Sequence, residues 1–237
     1  MTGKYFNFSD VLSYGWRVMK ANFWFFVGLG FTFLVITYLP TILRVVVEEQ
    51  LYLPTVIRIP LSLSLVLVGW VIHIILSIGL IKISLSFCDE QRPEFITLFD
   101  AVGCFWRYVG TAILYGLIIL GGFILLIVPG IVWGIKFGLC FYFVVDKGLD
   151  PIEALKASSR TTMGVKWQLF GFAVIRGLIT LLGLLCLIVG IFAAYPTVMI
   201  ASALVYRQLL TQTPELAEFG IPAVQTVPAP SSYRQNL

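Results

Sequence analysis

Apolar residues run through this chain in stretches that are long enough to cross a lipid bilayer. Residues 21–43 and 59–81 form stretches of 23 residues each without Asp, Glu, Lys or Arg. Residues 108–145 and 167–206 form stretches of 38 and 40 residues with a single Lys or Arg in each. Because a transmembrane helix needs about 20 apolar residues, this pattern predicts one span in each shorter stretch and two in each longer stretch.

Each of the two long stretches has turn-forming residues near its centre. Pro129 and Gly130 interrupt the first, and residues 190–196, from Gly190 to Pro196, interrupt the second. Pro and Gly are where helices break most readily. We therefore predict an all-α integral membrane protein with six transmembrane helices in three hairpins. The predicted spans are roughly 22–44, 59–82, 108–128, 131–146, 166–189 and 191–209.

Lysine and arginine are distributed unevenly between the two ends of these spans. With six spans both termini lie on one side, which holds 12 of the 16 cations: Lys4, Arg17, Lys20, Lys82, Arg92, Arg107, Lys147, Lys156, Arg160, Lys166, Arg207 and Arg234. Only Arg44 and Arg58 lie on the other side. Cytoplasmic loops carry an excess of Lys and Arg. We therefore predict a multi-pass protein of the bacterial cytoplasmic (inner) membrane with both termini in the cytoplasm.

Each predicted hairpin is preceded by a segment with the pattern of a cytoplasmic, interfacial amphipathic helix. In the third segment, Asp150 and Glu153 stand at capping-box positions around a proline. The three segments share an acid followed seven residues later by an arginine: Asp10 and Arg17, Asp100 and Arg107, Glu153 and Arg160. Seven residues are two helical turns, so acid and arginine share a face. A threefold repeat is one interpretation, and the general abundance of arginine beside membranes is the other.

The last segment of the chain differs from the rest. Residues 211–237 contain four prolines and few large apolar side chains. Such a composition does not bury enough apolar surface to fold. We predict a membrane domain over residues 1–210 followed by a disordered cytoplasmic tail over residues 211–237.

A signature around the second and third hairpins carries a family resemblance. It consists of Val128-Pro129-Gly130-Ile131, Lys136, Val144-Val145-Asp146-Lys147-Gly148, Ile152 to Ser158, Gly164 and Trp167. It resembles that of uncharacterised bacterial polytopic membrane-protein families related to YciC and of the membrane domain of some glycerophosphodiester phosphodiesterases. The resemblance is clearest over residues 126–172 and fits to about residue 210. It implies a similar number of spans and no established chemistry. We expect no soluble phosphodiesterase domain after the membrane part, so that enzymatic activity is not implied.

Composition narrows the classes of function. Hydrophobic residues make up 59% of the chain and charged residues 12%, against about 25% charged in soluble domains. These values exclude a soluble enzyme, a disordered chain and a nucleic-acid-binding module. The chain has a single histidine and none of the usual phosphate-loop, nucleophile-elbow or zinc motifs. We predict no enzyme activity, no catalytic residues, no cofactor, no metal and no nucleic-acid partner.

Three basic side chains remain within the predicted spans. Lys136, Arg176 and His73 lie 9 to 11 residues from the cation at the cytoplasmic end of each helix, which is about 14–17 Å. A cation at that depth costs about 2.5–3.5 kcal/mol. Snorkelling with a polar contact between helices is one interpretation. An anion or lipid-headgroup site and a permeation path are the others.

These observations predict a non-catalytic integral membrane protein that binds lipid or a membrane partner. The lipid bilayer, including anionic lipid, is the predicted partner, and the identity of any protein partner stays open. The alternative is a transporter or channel for a small or anionic solute. The candidate anion or lipid-headgroup contacts are Lys136, Arg176 and His73.

Overall fold

The computed structural model of the chain describes residues 4–49, 54–89, 91, 93–98 and 102–221. Over these residues the fold is all-helical. The α-helices are α1 (Phe8–Ala21), α2 (Phe23–Glu49), α3 (Thr55–Cys88), α4 (Phe105–Leu125), α5 (Ile127–Phe137), α6 (Cys140–Lys147), α7 (Pro151–Thr161), α8 (Lys166–Leu185) and α9 (Leu187–Thr211). Short 3₁₀-helices lie at Phe95–Leu98, Val102–Cys104 and Pro214–Phe219.

Among the described residues, six helical segments are long and apolar enough to cross a membrane. They are Phe23–Glu49, Thr55–Cys88, Phe105–Leu125, Ile127–Lys147, Lys166–Leu185 and Gly190–Thr211. The prediction of an all-α fold with six helices of this kind is confirmed. The largest difference in bounds is at α3, which has 34 residues and is about 51 Å long. It therefore extends well beyond a hydrocarbon core of about 30 Å or crosses it at a tilt.

Helix α9 lies at the centre of the bundle. In the most apolar stretch of 18 residues within α9, 67% of the residues are buried, against 11–22% in the corresponding stretches of the other five segments. It packs against α1, α2, α3 and α8, and Ile200, Leu204 and Leu209 are among its fully buried side chains. The pairs α2 and α3, α4 and α5, and α8 and α9 also pack along each other. The outer helices expose large apolar side chains such as Trp70 and Ile124, as expected where lipid is the surrounding solvent.

Helix α1 packs against α9 through one face. Asn7 caps its first turn, because the Asn7 side chain accepts a hydrogen bond of 3.0 Å from the Ser9 amide. Val11 and Tyr14 are buried, whereas Asp10 is exposed. A side chain at Gly15 would collide with the Thr197 carbonyl of α9. The glycine therefore permits the close approach of the two helices.

Helix α7 begins at Pro151, as the sequence predicts, but its capping differs from the prediction. The side chain of Asp150 makes no capping hydrogen bond. Instead, its carboxylate lies 3.2 Å from Nε of Arg107 at the start of α4. Ala154 and Ala157 are buried, and Glu153 is exposed. The ion pair with Arg107 ties the start of α7 to α4 and replaces the predicted cap.

The middle segment of the proposed repeat does not match the outer two. Its described residues form two short 3₁₀-helices, Phe95–Leu98 and Val102–Cys104, rather than an α-helix. Asp100 lies outside the described residues. Leu98 is fully buried, and a side chain at Gly79 of α3 would collide with its backbone. The segment thus packs against α3. The spacing of apolar residues in the sequence does not predict this packing.

The beginning of the segment predicted to be a disordered tail is ordered. Residues Pro214–Phe219 form a 3₁₀-helix, and Leu216 and Ile221 are buried. Glu218 pairs with Arg160 of α7, so Arg160 is paired with this segment and not with Glu153. The two apolar side chains supply the burial that the composition of the tail as a whole lacks. The rest of the predicted tail, residues 222–237, lies outside the described residues.

Candidate functional site

The three basic residues predicted as candidate contacts lie in different surroundings. Arg176 is exposed and lines a large, partly open cavity between helices. Lys136 is half-buried in the last turn of α5, and its Nζ lies 5.0 Å from the centre of the Phe137 ring. His73 is exposed on α3, and its ring lies 6.2 Å from that of Phe33. The residues that line the cavity include Arg176 but neither Lys136 nor His73.

The cavity around Arg176, here called the Arg176 cavity, has two lobes. One lobe of about 510 Å³ lies among α4, α5, α6, α8 and α9. The other, of about 700 Å³, lies among α3, α8 and α9. The two lobes adjoin each other, because six residues line both: Ile81, Tyr108, Tyr142, Ala173, Arg176 and Ser202. Arg176 stands where they meet.

The polar groups on the cavity wall are mostly hydroxyls. Ser202 Oγ donates to the Val198 carbonyl at 2.7 Å, and Thr180 Oγ1 donates to the Arg176 carbonyl at 2.9 Å. A hydroxyl that donates to its own helix still has oxygen lone pairs that accept hydrogen bonds. Tyr115, Tyr142 and Tyr195 lie within electrostatic range of Arg176. The wall is therefore weakly polar, with one positive charge.

No carboxylate of the described residues pairs with Arg176. Within the part of the chain that the structure describes, its guanidinium forms no ion pair and donates no hydrogen bond to a protein acceptor. Its backbone carbonyl is used by Thr180, but its five N–H donors are left to whatever occupies the cavity. Charged side chains at membrane depth are usually paired or face water-filled cavities. The arrangement suits an anionic group inside the cavity.

The fourth span-length segment is broken beside this cavity. Helix α5 ends at Phe137 and α6 begins at Cys140, and the amide of Gly138 donates to Ile135 rather than to Gly134. The break frees carbonyl groups, which are costly to leave unpaired in a membrane. Tyr115 donates to the Gly134 carbonyl at 3.1 Å. Ser158 and Thr162 both donate to the Lys136 carbonyl, at 3.0 and 3.1 Å.

Helix α7 and the residue that follows it, Thr162, pair a carbonyl that the break frees. The hydroxyls of Ser158 and Thr162 replace the hydrogen bond that the Lys136 carbonyl would accept in an unbroken helix. Gly134, Ile135, Gly138 and Leu139, which surround the break, all line the smaller lobe. The break therefore shapes the wall of the Arg176 cavity, and α7 holds it in place.

A buried charge cluster, which the sequence analysis does not identify, lies at the end of the bundle next to the cavity. Arg207 of α9 donates to Asp146 at 2.7 and 2.9 Å and to Asp89 at 2.6 Å. Tyr206 donates to Asp146 at 3.0 Å, and Lys147 Nζ lies 3.1 Å from the same carboxylate. The side chains of Arg207 and Asp146 are only 9% and 11% exposed.

This cluster contacts the wall of the Arg176 cavity through Tyr206. The ring of Tyr206 stacks on that of Tyr142 with the centroids 5.3 Å apart, and Tyr142 lines both lobes. The partners of Arg207 are 61 and 118 residues away in the chain. The sequence places Arg207, Asp146 and Asp89 at or near predicted span ends on the same side of the membrane. This shared side is the one feature of the sequence that indicates a possible contact.

Residues that could ligate a metal are not grouped in this structure. Among the described residues, no group of three or more His, Cys, Asp or Glu side chains could hold a metal ion. The candidate chemistry of the cavity is therefore that of its one cation and its hydroxyls.

The fold defines the class of the protein: an all-helical chain whose six long apolar helices are compatible with a multi-pass integral membrane protein. No protein-family model, curated protein or solved structure matches the chain. The resemblance to the YciC-related families and to the phosphodiesterase membrane domain thus stays a prediction.

Proposed function

We propose that this chain is a non-catalytic protein of the bacterial inner membrane that binds the anionic group of a lipid in the Arg176 cavity. The observation that carries the proposal is Arg176 itself, a cation on the wall of an intramembrane cavity with no acidic partner in the described structure. Phosphate and carboxylate groups match the planar fork of a guanidinium, which can hold them bidentately.

The energetics favour a ligand over an empty site. An unpaired cation within a span costs about 2.5–3.5 kcal/mol, and an anion in the cavity offsets that cost by charge neutralisation. Room is ample, because lobes of about 510 and 700 Å³ far exceed the roughly 30 Å³ that a water molecule occupies in the liquid. Lys136 and His73 stand apart from this proposed contact, since neither lines the cavity.

The matching experiment compares purified protein and single variants by native mass spectrometry after supply of phosphatidic acid. Arg176→Gln should lose the retained lipid, while Arg176→Lys should keep part of it, because Lys provides the charge without the fork. Lys136→Gln is the matched control, since it removes a cation of the same span depth that does not line the cavity. Equal retention by Arg176→Gln and the unchanged protein would refute the proposal.

We further propose that the six helices form three hairpins, with α1 and α7 at the cytoplasmic surface. Contacts of Lys4 with the Arg160 carbonyl and of Tyr5 with Gln212 support this, because they bring together segments that the sequence assigns to one side. The excess of cations on that side supplies the orientation.

Cysteine labelling tests this topology. Lys156→Cys and Glu49→Cys change exposed residues at opposite predicted faces, in a chain whose four cysteines are replaced by alanine. An impermeant maleimide applied to intact spheroplasts should label only position 49, and applied to inverted vesicles only position 156. Labelling after detergent solubilisation controls for reactivity. Labelling of both positions from the same side would contradict the model.

A second candidate function is transport of a small anionic solute. The observation that favours it is the break between α5 and α6 beside the cavity, because discontinuous helices surround the binding sites of many transporters. Proteoliposomes loaded with inorganic phosphate test this candidate. Phosphate efflux faster than from protein-free liposomes loaded in the same way, and lost in Arg176→Gln, would support transport. Efflux equal to that from the protein-free liposomes would reject transport of phosphate.

A further inference from the structure

An apolar groove adjoins the Arg176 cavity on the side of α2. It has a volume of about 180 Å³ and is formed by α2, α3 and α9. Phe33 and Leu34 of α2 face Phe192 and Pro196 of α9 across it. Apart from Tyr195, every residue that lines the groove is apolar. It thus differs from the cavity in having no charge and no serine or threonine on its wall.

The groove and the cavity adjoin each other. Leu80, Tyr195 and Met199 line both the groove and the larger lobe. Tyr195 therefore stands at the junction, with a charged compartment on one side and an apolar one on the other. A cation in the cavity with an apolar groove beside it matches a molecule that has an anionic headgroup and a hydrocarbon chain.

Helices α2 and α9 approach each other closely at Gly30. A Cβ atom at Gly30 would lie 2.5 Å from the Phe192 ring, so α2 and α9 are held in contact at this point. Pro196 has no N–H and cannot complete the hydrogen bond to the carbonyl four residues earlier, which perturbs a helix interior. The groove lies beside this contact, with Gly30, Phe192 and Pro196 all on its wall.

We propose that the groove holds an acyl chain of a phospholipid whose phosphate is bound at Arg176. The inference rests on the proposed function and specifies its ligand: a phospholipid with a small anionic headgroup, of the phosphatidic acid type. The groove has room for a segment of such a chain, because an apolar cavity of about 150 Å³ already admits benzene. A chain bound there would run from the junction at Tyr195 towards Leu34.

The probe for the test is phosphatidic acid with a photoactivatable diazirine in one acyl chain, diluted into phosphatidylcholine nanodiscs. After illumination, labelled peptides are mapped by mass spectrometry. The unchanged protein should be labelled on α2 and α9 around the groove. Leu34→Trp should lower that labelling about tenfold, as expected for a loss of 1.4 kcal/mol in binding, because the larger ring fills the groove.

The matched control is Leu39→Trp on the same helix. Leu34 and Leu39 are 42% and 52% exposed, but only Leu34 lines the groove. Both positions accept a larger side chain without disturbing the core, so a difference between them reports the groove. A phosphatidylcholine carrying the same diazirine chain controls for bulk lipid.

The outcomes separate the two proposals. If retention of phosphatidic acid depends on Arg176 but the groove is not labelled, the chain-binding inference is overturned and the proposed function stands. Equal labelling by both diazirine lipids would also overturn the inference, since bulk chains would then occupy the groove. If retention does not depend on Arg176, the proposed function fails and the inference fails with it. Labelling of the groove that is lost in Leu34→Trp and Arg176→Gln but kept in Leu39→Trp supports both.

Discussion

Removing Arg207 should destabilise the protein far more than removing an exposed arginine. Arg207 donates three hydrogen bonds to Asp146 and Asp89, and its side chain is 9% exposed. Breaking a buried ion pair by deleting one partner costs about 3–5 kcal/mol, because the remaining charge is left buried. In Arg207→Met, Asp146 keeps its hydrogen bond from Tyr206 and its contact with Lys147. We therefore expect a loss near the lower end, about 3 kcal/mol.

A titration with denaturing detergent, followed by tryptophan fluorescence, measures this loss as a change in the free energy of unfolding. Arg44→Met is the matched control. Arg44 pairs with Glu48 one turn away, and the two side chains are 46% and 39% exposed. Exposed pairs of this kind contribute about 0.3–0.5 kcal/mol. If Arg207→Met costs no more than Arg44→Met, the assignment of a stabilising buried cluster is wrong.

A double variant tests the physical reason for the loss. When Asp146→Leu is added to Arg207→Met, the uncompensated carboxylate disappears together with its partner. Replacing both members of a buried pair by apolar residues is often neutral or stabilising. The double variant should therefore be more stable than Arg207→Met alone. A double variant that is less stable, with the two losses adding, would show that the groups act independently.

Two further predictions concern α7 and the N-terminal segment. Ser158→Ala and Thr162→Val should each lower the free energy of unfolding only slightly, because one hydroxyl still pairs the Lys136 carbonyl. Together they should lower it by about 1–3 kcal/mol, because a buried acceptor is left unsatisfied. Simple addition of the two single losses in detergent titrations would contradict this. Burial lowers the pKa of Lys4, and Glu215 opposes the shift only in part. The folded state thus releases this proton at lower pH than the unfolded chain, so stability should rise as pH passes from the lowered pKa towards the ordinary one. Lys4→Met should make the melting temperature rise less, or fall more, as the pH increases towards 10.5, the ordinary pKa of lysine. Equal pH dependence in both proteins would refute the assignment.

Much of the fold follows from one-dimensional patterns. The length of the apolar stretches and the turn residues Pro129 and Gly130 predict the number of long helices, and Pro151 predicts the start of α7. The observed turn between α4 and α5 lies a few residues earlier, at Leu126, since Pro129 is accepted in the first turn of α5. Such patterns locate helices because the length of an apolar stretch and the position of a helix-breaking residue depend only on residues that are close together in the chain.

The candidate site was predictable only in part. Arg176 and Lys136 were both identified as charges within spans, but which of them lines a cavity depends on how the helices are rotated and packed. The Arg207 cluster was missed because its members come from three helices that are far apart in sequence. The sequence does not predict the break at Gly138 either, because residues from distant parts of the chain, Tyr115, Ser158 and Thr162, pair the carbonyls that it frees.

The contrast between Arg207 and Arg176 strengthens the argument for a ligand. Both are arginines in the last two long helices of the same bundle, and Arg207 is neutralised by two carboxylates of the chain. Even the freed carbonyl of Lys136 has two hydroxyl partners. Among the described residues, only Thr37 Oγ1, Gln168 Oε1 and Arg207 Nε are buried side-chain nitrogen or oxygen atoms without a hydrogen-bond partner. Arg176 has a cavity in place of such a partner, and an anion from outside the chain is the group that its charge and its geometry fit.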